Sequence, residues 1–458
     1  MNRSLTPTAN PRRALDREIW AMAWPVVAVF LMTNAVELVD IAIVGRLGQK
    51  SVAAVGYAAQ CAQLLRTLLV SVGAGCLALV ARAVGARETE RARGILGASV
   101  VVSLALAVFG VTAGVVMPEA LLASLHAEPD VIRLSVPYFR ISLIATLLFA
   151  VSTVLENAQR AHRNMRTPLI IALIASSVKI VLSFVLIFGL LGAPVLGLSG
   201  AACATLIAEA LGLALFWRAA QVGEREGHAL LPTWVAFREL LENARSVLRV
   251  SLPAVGERLV MNLALLVYFA ILAVYGTSTI AAYAIGVRLL AFSWLPGIGF
   301  GAAAATLVGQ ALGARDAAGA RRAGWRCMQL ALAVMGVLGF FCAFGREPLA
   351  RIFTGDEQVI GQLLPFLLML ALAQPFMGVH FTLSGALRGA GDTTTPLLGA
   401  SVGNWILRIP LAWLMASVLH GPVLWAWAAL VFDHVLRSIW YVSSFRGTRW
   451  ERALRPHG

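Results

Sequence analysis

The stretch WPVVAVFLMTNAVELVDIAIVGRLG, residues 24–48, is long and apolar, and LPAVGERLVMNLALLVYFAILAVYG at residues 252–276 resembles it. Each provides the roughly 20 mostly apolar residues that a helix needs to cross a bilayer. Pro25 and Pro253 stand at the same place in the two stretches and lie 228 positions apart. The two stretches therefore predict a membrane helix that recurs in an internal repeat.

The same offset of 228 residues aligns further motifs along the chain. It places Gly48 on Gly276, Gly73 on Gly301, Gly85–Ala86–Arg87 on Gly313–Ala314–Arg315, Pro137 on Pro365, Arg160 on Arg388 and Thr167–Pro168 on Thr395–Pro396. Chance matches would drift in register, whereas these stay in register. If each copy holds an even number of spans, both begin on the same side of the membrane, so the copies are predicted to be parallel repeats.

The composition of the chain is that of a membrane protein. Of the 458 residues, 59% are hydrophobic and 13% are charged, whereas soluble globular proteins hold about 45–50% and about 25%. The five cysteines lie in apolar stretches and form no CxxC pair, so no disulfide framework or metal site is indicated, and we expect no cofactor. These cysteines are Cys61, Cys76, Cys203, Cys327 and Cys342.

The basic residues give a net charge of +14, and only two of the 37, Lys50 and Lys179, are lysines. In a nucleic-acid-binding protein such residues would line a polar face. Here they lie mostly in short connections between apolar runs of membrane length. This distribution excludes nucleic acid as a partner and indicates a membrane topology signal instead.

Twelve apolar segments are long enough to span a bilayer. They lie near residues 19–45, 52–80, 95–116, 132–157, 168–190, 195–217, 249–274, 279–309, 323–344, 359–385, 395–418 and 422–445. The first is longer than the apolar core of about 7–15 residues in a signal peptide, so we expect it to stay in the protein. The sequence predicts an all-α polytopic membrane protein with twelve transmembrane helices in two parallel six-helix lobes.

Basic residues alternate between the connections of these spans. They are frequent before the first span, on the even-numbered connections and after the last span, as in the runs around residues 82–93, 315–326 and 446–455. The odd-numbered connections hold few of them and include acidic residues. Because Lys and Arg are retained in cytoplasmic loops, we expect a multi-pass protein of the inner or plasma membrane with both termini in the cytoplasm.

The domain organisation follows from the spans and the repeat. We expect a cytoplasmic N-terminal tail (1–18), an N-lobe of six spans (19–217), a cytoplasmic linker (218–248), a C-lobe of six spans (249–445) and a cytoplasmic C-terminal tail (446–458). The linker holds the polar stretches QVGEREG and FRELLENARS. It is predicted to form a solvated or interfacial helix.

Several motifs carry a family likeness: WPVV, LVDIAIVGRLG and VAAVGYA in the first two spans, SLPAVGERLVMN and GTSTIAAYAIGVRLL in the seventh and eighth, and LRGAGDTTTP before the eleventh. The chain resembles MATE (multidrug and toxic compound extrusion) transporters of the MOP flippase superfamily. The resemblance implies two six-helix bundles around a central cavity. It also implies a secondary active antiporter that exports amphipathic, often cationic, organic compounds in exchange for inward H⁺ or Na⁺ by alternating access. We expect a monomer surrounded by membrane lipid.

Two acids in the first span are the strongest candidates for cation coupling. Glu37 and Asp40 are spaced i,i+3, which puts both carboxylates on one face of a helix. Charges inside a membrane are costly and mark functional sites by default, and two like charges this close favour retention of a proton. The resemblance implies that Asp40, in the motif LVDIAIVGRLG, belongs to the cation-coupling site of the N-lobe. The alternative is a structural ion pair with a basic residue.

Lys179 departs from the pattern of the resembling proteins. Their sodium sites often show NxxLD in the fifth span, where this chain has Lys179-Ile180-Val181-Leu182-Ser183. An ammonium has three donors and no acceptor, so it repels Na⁺ and takes the place of a cation. Lys179 is therefore the expected charge partner of Asp40, and H⁺ is favoured over Na⁺ as the coupling ion.

Glu257, four residues after Pro253, is the candidate acid of the C-lobe. The resemblance implies an essential acid in this helix, and a structural ion pair is the alternative. Its expected charge partners are Arg288 and Arg408, whereas Arg388 lies near a cytoplasmic end and is expected to extend its side chain to the interface.

Three further groups of residues complete the candidate list. Four aromatic residues, Tyr57, Phe292, Trp294 and Trp405, are candidates for a substrate cavity in which a cation stacks on aromatic rings, with ordinary packing as the alternative for each. Asp433 and Arg437, spaced i,i+4, are expected to neutralise each other. His380 and His434 are expected to be isolated packing groups.

Two other functions compete with antiport. A flippase for a lipid-linked precursor would need buried cations for a pyrophosphate group, and Arg66, Lys179, Arg258, Arg288 and Arg408 keep it open. An enzyme embedded in the membrane would need a nucleophile with its base or a metal cluster, and neither HExxH nor GxSxG occurs. We therefore expect a transporter and no enzyme.

Overall fold

Residues 11–233 and 235–452 are described by a computed structural model of the chain, and every regular element in them is a helix. The first half contains α1 (Pro11–Gly45), α2 (Gln49–Gly85), α3 (Thr89–Val116), the short α4 (Pro118–Ala123), α5 (Pro129–Ala161), α6 (Arg166–Phe188), a 3-10 turn at Leu190–Gly192 and α7 (Leu198–Arg225).

The second half repeats this order of helices. It contains α8 (Phe237–Leu272), a 3-10 turn at Ala273–Tyr275, α9 (Thr277–Ser293), α10 (Leu295–Gly313), α11 (Ala317–Phe344), the short α12 (Arg346–Phe353), α13 (Glu357–Gly389), α14 (Thr394–Ser401), a π-helix at Val402–Arg408, α15 (Ile409–Trp413), a second π-helix at Leu414–Val418, α16 (Val423–Arg446) and α17 (Arg449–Arg452).

Twelve segments of the described chain are long and apolar enough to cross a membrane, so the prediction of twelve spans in an all-α protein is confirmed. The eighth span, Thr277–Gly313, is divided into α9 and α10 at Trp294. Pro296 stands in the first turn of α10, where a missing backbone N–H is tolerated. The eleventh span, Thr394–Val418, is interrupted by the two π-helices.

The two halves of the chain share unusual backbone conformations at equivalent positions. Gly48 and Gly276, which precede α2 and α9, have φ of 100° and 95°. Arg87 and Arg315, which follow α2 and α10, have φ of 61° and 60°, a region that residues other than glycine rarely adopt. The repeat of 228 residues is therefore present in the backbone as well as in the sequence.

The starts of the fifth and eleventh spans are stabilised in the same way. The amide of Thr167 donates a hydrogen bond to Asn164 Oδ1 at 3.1 Å, and the amide of Thr395 donates to Asp392 Oδ1 at 3.0 Å. A short polar side chain thereby satisfies one of the amides that a first helical turn leaves free. Equivalent residues perform the same task in both copies.

The chain forms two compact units. Among the described residues, the N-unit is Ala28–Val255, and the C-unit combines residues 11–27 with residues 256–452. Both boundaries fall inside a helix, α1 or α8, close to Pro25 and Pro253, where proline removes a backbone hydrogen bond. Each of these two helices therefore contributes residues to both units.

In the N-unit, α2 packs closely on α5. A Cβ atom at Gly73 would lie 2.6 Å from Asn157 Nδ2 and 2.8 Å from a Thr153 methyl group, so only glycine allows this approach. A cluster that includes Leu65, Leu69 and Phe139 fills the space between α2, α3 and α5. This packing brings charged residues of separate helices into one interior.

The segment between α7 and α8 differs from the predicted linker helix. Helix α7 continues to Arg225 and α8 begins at Phe237, so the polar stretches QVGEREG and FRELLENARS lie largely in the ends of these two helices. Between them, the amides of Leu230 and Leu231 donate to Glu224 Oε1, both at 2.8 Å. Arg93 of α3 forms an ion pair with the same Glu224. The connection is therefore anchored to the N-unit.

Candidate functional site

The first pair of candidate residues comes together inside the N-unit. Asp40 lies on α1 and Lys179 on α6, and Lys179 Nζ forms an ion pair with Asp40 Oδ2. The two side chains are 24% and 22% exposed, respectively. Asp40 and Lys179 are 139 positions apart in sequence, and only the packing of the helices makes them neighbours.

The second oxygen of the Asp40 carboxylate is not bound by Lys179. Asp40 Oδ1 is buried and has no hydrogen-bond partner among residues 11–233 and 235–452. We call an atom of this kind open, meaning buried and without a hydrogen-bond partner in the described part of the chain. Ser183 Oγ, one turn after Lys179 on α6, is also open. An open carboxylate oxygen is a site where a proton can be received, because burial without a partner is costly for a charged group.

Glu37 shares the face of α1 with Asp40 but differs in its surroundings. Its side chain is exposed and makes no ion pair with a described residue. It nevertheless lies within electrostatic range of Asp40, Lys179 and Arg66. Glu37 is therefore a second carboxylate near the pair, on the surface of the N-unit.

A second ion pair lies beside the first. Arg66 Nη2 of α2 is 3.3 Å from Glu209 Oε1 of α7, and both side chains are less than a third exposed. The Arg66 guanidinium also stands 4.8 Å from the centre of the Phe149 ring. Lys179 is within electrostatic range of Glu209. Arg66 and Glu209 are 143 positions apart, and nothing in the sequence indicated their pair.

In the C-unit, Glu257 has a different partner from those expected. Arg388 Nη2 donates to Glu257 Oε1 at 2.7 Å and Arg388 Nε donates to Oε2 at 3.3 Å. Glu257 is not paired with Arg288 or Arg408. Arg288 is exposed, and the guanidinium of Arg408 lies 4.2 Å from the centre of the Tyr268 ring. The expectation that Arg388 extends to the interface is also wrong, because the nearby carboxylate provides the stronger interaction.

Two charged residues and two histidines form a buried group in the C-unit: Asp433, Arg437, His380 and His434. Asp433 and Arg437 make two hydrogen bonds of 2.6 Å, the structural pair that their i,i+4 spacing predicted. His380 and His434 are stacked, with ring centres 4.9 Å apart, so they are not isolated. They lie on α13 and α16, and nothing in their sequence spacing indicated the contact.

The four aromatic candidates for a substrate cavity occupy different places. Tyr57 packs on the core of the N-unit beside Ile43. Phe292 is exposed, and Trp294 packs on Phe381 with ring centres 6.0 Å apart. Trp405 is held by α8, since its indole Nε1 donates to the Val260 carbonyl at 3.2 Å. Phe292 and Trp294 are thus the two candidates for the substrate cavity that lie near the break in the eighth span.

Comparison with known sequences decides the family. A sequence profile described as MatE matches the chain twice, over residues 25–185 and 253–414, which together make up more than half of the chain. The chain belongs to the MatE family. The two matches begin at Pro25 and Pro253, so the family profile has the same 228-residue offset as the internal repeat. The resemblance in the motifs is confirmed.

Other members of the MatE family cover nearly the whole chain. A probable multidrug resistance protein NorM from Thermotoga maritima is 26% identical over 446 residues, which are 96% of this chain and 94% of that protein. A protein of the same name from Bradyrhizobium diazoefficiens is 30% identical over 405 residues, 87% of this chain and 86% of that protein.

Solved structures of MATE transporters have the same fold. VcmN from Vibrio cholerae in its bent form matches with a TM-score of 0.87 and 22% identity, over 95% of this chain and 98% of that one. A MOP superfamily transporter from Pyrococcus furiosus matches with a TM-score of 0.85 and 21% identity, over 98% and 100% of the two chains. This MatE protein is therefore a multi-pass membrane transporter and not an enzyme.

Proposed function

We propose that this MatE transporter exports amphipathic organic cations from the cell in exchange for inward H⁺ by alternating access. The observation that carries the proposal is the ion pair in which Lys179 holds one oxygen of Asp40 while the other oxygen is open. The names of its NorM relatives refer to multidrug resistance, which supports a broad range of organic substrates. We also propose an inner or plasma membrane location with both termini in the cytoplasm.

The Asp40–Lys179 pair has two states that differ by one proton. With Asp40 ionised, its charge is balanced by the ammonium of Lys179. A proton that binds to the open Oδ1 removes the negative charge and releases Lys179. The freed ammonium then interacts with other acids of the N-unit, of which Glu209 lies within electrostatic range. Proton binding thereby biases an equilibrium between two arrangements of α1 and α6, which is the requirement for coupling.

The same geometry argues for H⁺ over Na⁺. A sodium site needs several oxygen ligands around one point, and Lys179 brings a cation to the position where such ligands are expected. Lysine has no acceptor to offer. In the C-unit, both oxygens of Glu257 already accept hydrogen bonds from Arg388. Neither acid presents a free carboxylate surrounded by neutral oxygen ligands.

Glu37 and Glu257 have lesser parts in this proposal. We assign Glu37 as the second carboxylate of the coupling site, where its negative charge attracts cations toward Asp40. Glu257 takes part in coupling only if Arg388 leaves it during the transport cycle. In the arrangement observed, the Glu257–Arg388 pair stabilises α8 against α13.

A lipid-linked precursor flippase is the second candidate, and the ion pairs disfavour it. Pyrophosphate binding needs cations whose charge is available. Of the five cations that would serve a flippase, the two in the N-unit, Arg66 and Lys179, are each neutralised by a carboxylate, and binding a pyrophosphate between them would first have to break both pairs. Export of organic cations has no such requirement.

Transport by the purified protein in liposomes tests the proposal. Uptake of ethidium, a planar amphipathic cation, is measured with an imposed pH gradient and separately with an imposed Na⁺ gradient. We expect the pH gradient alone to drive ethidium against its concentration gradient. Transport driven by the Na⁺ gradient alone would contradict proton coupling, and no ethidium transport with either gradient would contradict the substrate class.

A further inference from the structure

Arg408 is a buried arginine of the C-unit that the proposed function does not use. It ends the π-helix Val402–Arg408 and is 8% exposed. Its guanidinium carbon stands 4.2 Å from the centre of the Tyr268 ring. Both Arg408 Nε and Arg408 Nη2 are open. π-Helices are rare and occur frequently at functional sites.

Two further open groups lie in the aromatic cluster around Arg408. Tyr283 packs on Tyr268 with ring centres 5.5 Å apart, and its hydroxyl is open. Trp427 stacks on Tyr283 at 5.8 Å, and its indole nitrogen is open as well. The Tyr268 hydroxyl, in contrast, donates to the Ala426 carbonyl at 2.7 Å. All the open groups of this cluster are able to donate hydrogen bonds, and the ligand they fit is an acceptor.

The buried charges of the C-unit leave the charge of Arg408 unbalanced. Arg437 occupies both oxygens of Asp433 through two hydrogen bonds of 2.6 Å. Arg388 likewise occupies both oxygens of Glu257. Each pair is neutral, so one positive charge remains on Arg408. A buried charge is stable only when it is paired or otherwise compensated. The Tyr268 ring, the nearby hydroxyls of Tyr268 and Tyr283 and the more distant Asp433 carboxylate, already bound by Arg437, compensate this guanidinium only in part.

We propose that Arg408 and the Tyr283 hydroxyl bind a small monovalent anion, a halide or a carboxylate group, inside the C-unit. One negative charge balances the one positive charge, and the open guanidinium nitrogens and the hydroxyl become its hydrogen-bond donors. A phosphate group is disfavoured because its second charge would exceed that of the site. The aromatic walls of Tyr268 and Trp427 favour a small or flat ligand over a hydrated one.

The site is specific to one half of the repeat. The offset of 228 residues places Arg408 on Ile180 and Tyr283 on Val55, both apolar. The repeated scaffold therefore folds around apolar residues at these positions in the N-unit. A purely architectural role in the six-span repeat does not require the arginine or the hydroxyl.

Thermal unfolding of the purified full-length transporter tests the proposal. Tm is measured with increasing chloride, and separately with increasing benzoate, while a bulky sulfonate keeps the ionic strength constant. A ligand that binds only the folded state raises Tm with a saturable concentration dependence. We expect this rise with chloride or benzoate, and the two arms identify the anion as a halide or a carboxylate.

Variants assign any stabilisation to the site. Arg408→Met is expected to abolish the anion-dependent rise, whereas Arg288→Met, at an exposed arginine of the same unit, is expected to retain it. If Arg408→Met fails to fold, Tyr283→Phe keeps the ring and is expected to weaken the apparent Kd about tenfold, the effect of one hydrogen bond to a charged ligand. No anion-dependent rise in the unmodified protein, or an equal rise in Tyr283→Phe, would overturn the proposal.

Discussion

Lys179 of α6 neutralises Asp40 of α1 through Oδ2 and leaves Oδ1 open. The pair joins the first and fifth membrane spans. The Asp40 carboxylate is therefore bound through one oxygen, whereas both oxygens of Glu257 are bound by Arg388. The two acids are therefore expected to respond differently to substitution.

Asp40→Asn is expected to abolish ethidium export driven by a pH gradient while the protein remains folded. The amide cannot bind and release the proton. Its oxygen can still accept a hydrogen bond from Lys179, so the ammonium loses only its counter-charge, and Tm is expected to fall without unfolding the protein. Proteoliposome transport and size-exclusion chromatography measure the two effects. Asp130→Asn, at an acid that is 64% exposed, is the matched control and should transport normally. Export by Asp40→Asn with unchanged dependence on pH would contradict the assignment.

The double substitution Lys179→Asn with Ser183→Asp is expected to make transport respond to a Na⁺ gradient. It removes the ammonium from Asp40 and supplies the amide and carboxylate oxygens of the NxxLD pattern on one face of α6. Transport driven by Na⁺ in the double variant, compared with Lys179→Asn alone, measures the change. If both variants ignore Na⁺, the lysine is not what excludes the ion.

Glu257→Gln is expected to lower Tm because it leaves Arg388 buried without its carboxylate. Breaking a fully buried pair costs about 3–5 kcal/mol, and we expect roughly half of that here because Arg388 is 31% exposed. The double variant Glu257→Gln with Arg388→Gln should recover much of the loss, as a thermodynamic cycle would show. Recovered stability without recovered transport would assign Glu257 to coupling as well as to structure.

Cysteine labelling from outside sealed cells tests the topology. In a background without the five native cysteines, Ser124→Cys is expected to react with a membrane-impermeant maleimide, whereas Glu226→Cys is not. Both positions are exposed on the protein, so access to the reagent depends on the side of the membrane. Labelling of Glu226→Cys in intact cells would reverse the predicted orientation.

His162, between α5 and α6, is expected to make stability depend on pH. Burial lowers the pKa of the His162 imidazole, although its Nε2 is 3.1 Å from the Ala229 carbonyl. Because the folded state binds the proton less well than the unfolded state, its contribution is present above a pH of about 6.5 and is lost as the pH falls below it. His162→Gln, which retains a donor for Ala229, should lose less stability than the unmodified protein between pH 7 and 5. An identical loss in both proteins would exclude His162 as the cause.

The residues of the spans and of the turns between them were sufficient to predict the helices. A run of about 20 apolar residues must be helical in a bilayer, because each backbone amide and carbonyl needs a partner within its own segment. The turn residues Gly48 and Gly276 recur at one offset and adopt nearly the same φ. Local composition therefore determined the number of spans, their order and the repeat. Local composition did not predict where α7 ends and α8 begins around the linker, because hydropathy does not reveal that these helices extend beyond their apolar cores.

The sequence also predicted the Asp40–Lys179 and Asp433–Arg437 pairs, but only the tertiary structure decided the partners of the other charged residues. Arg288, Arg388 and Arg408 carry the same group on spans of similar composition, yet one is exposed, one binds Glu257 and one lies against Tyr268. An ion pair depends on a few ångströms of separation and on burial. Those quantities follow from how helices distant in sequence pack. Lys179 was expected beside Asp40 because it stands where related proteins have sodium ligands, whereas the 143 positions between Arg66 and Glu209 gave no indication of their ion pair.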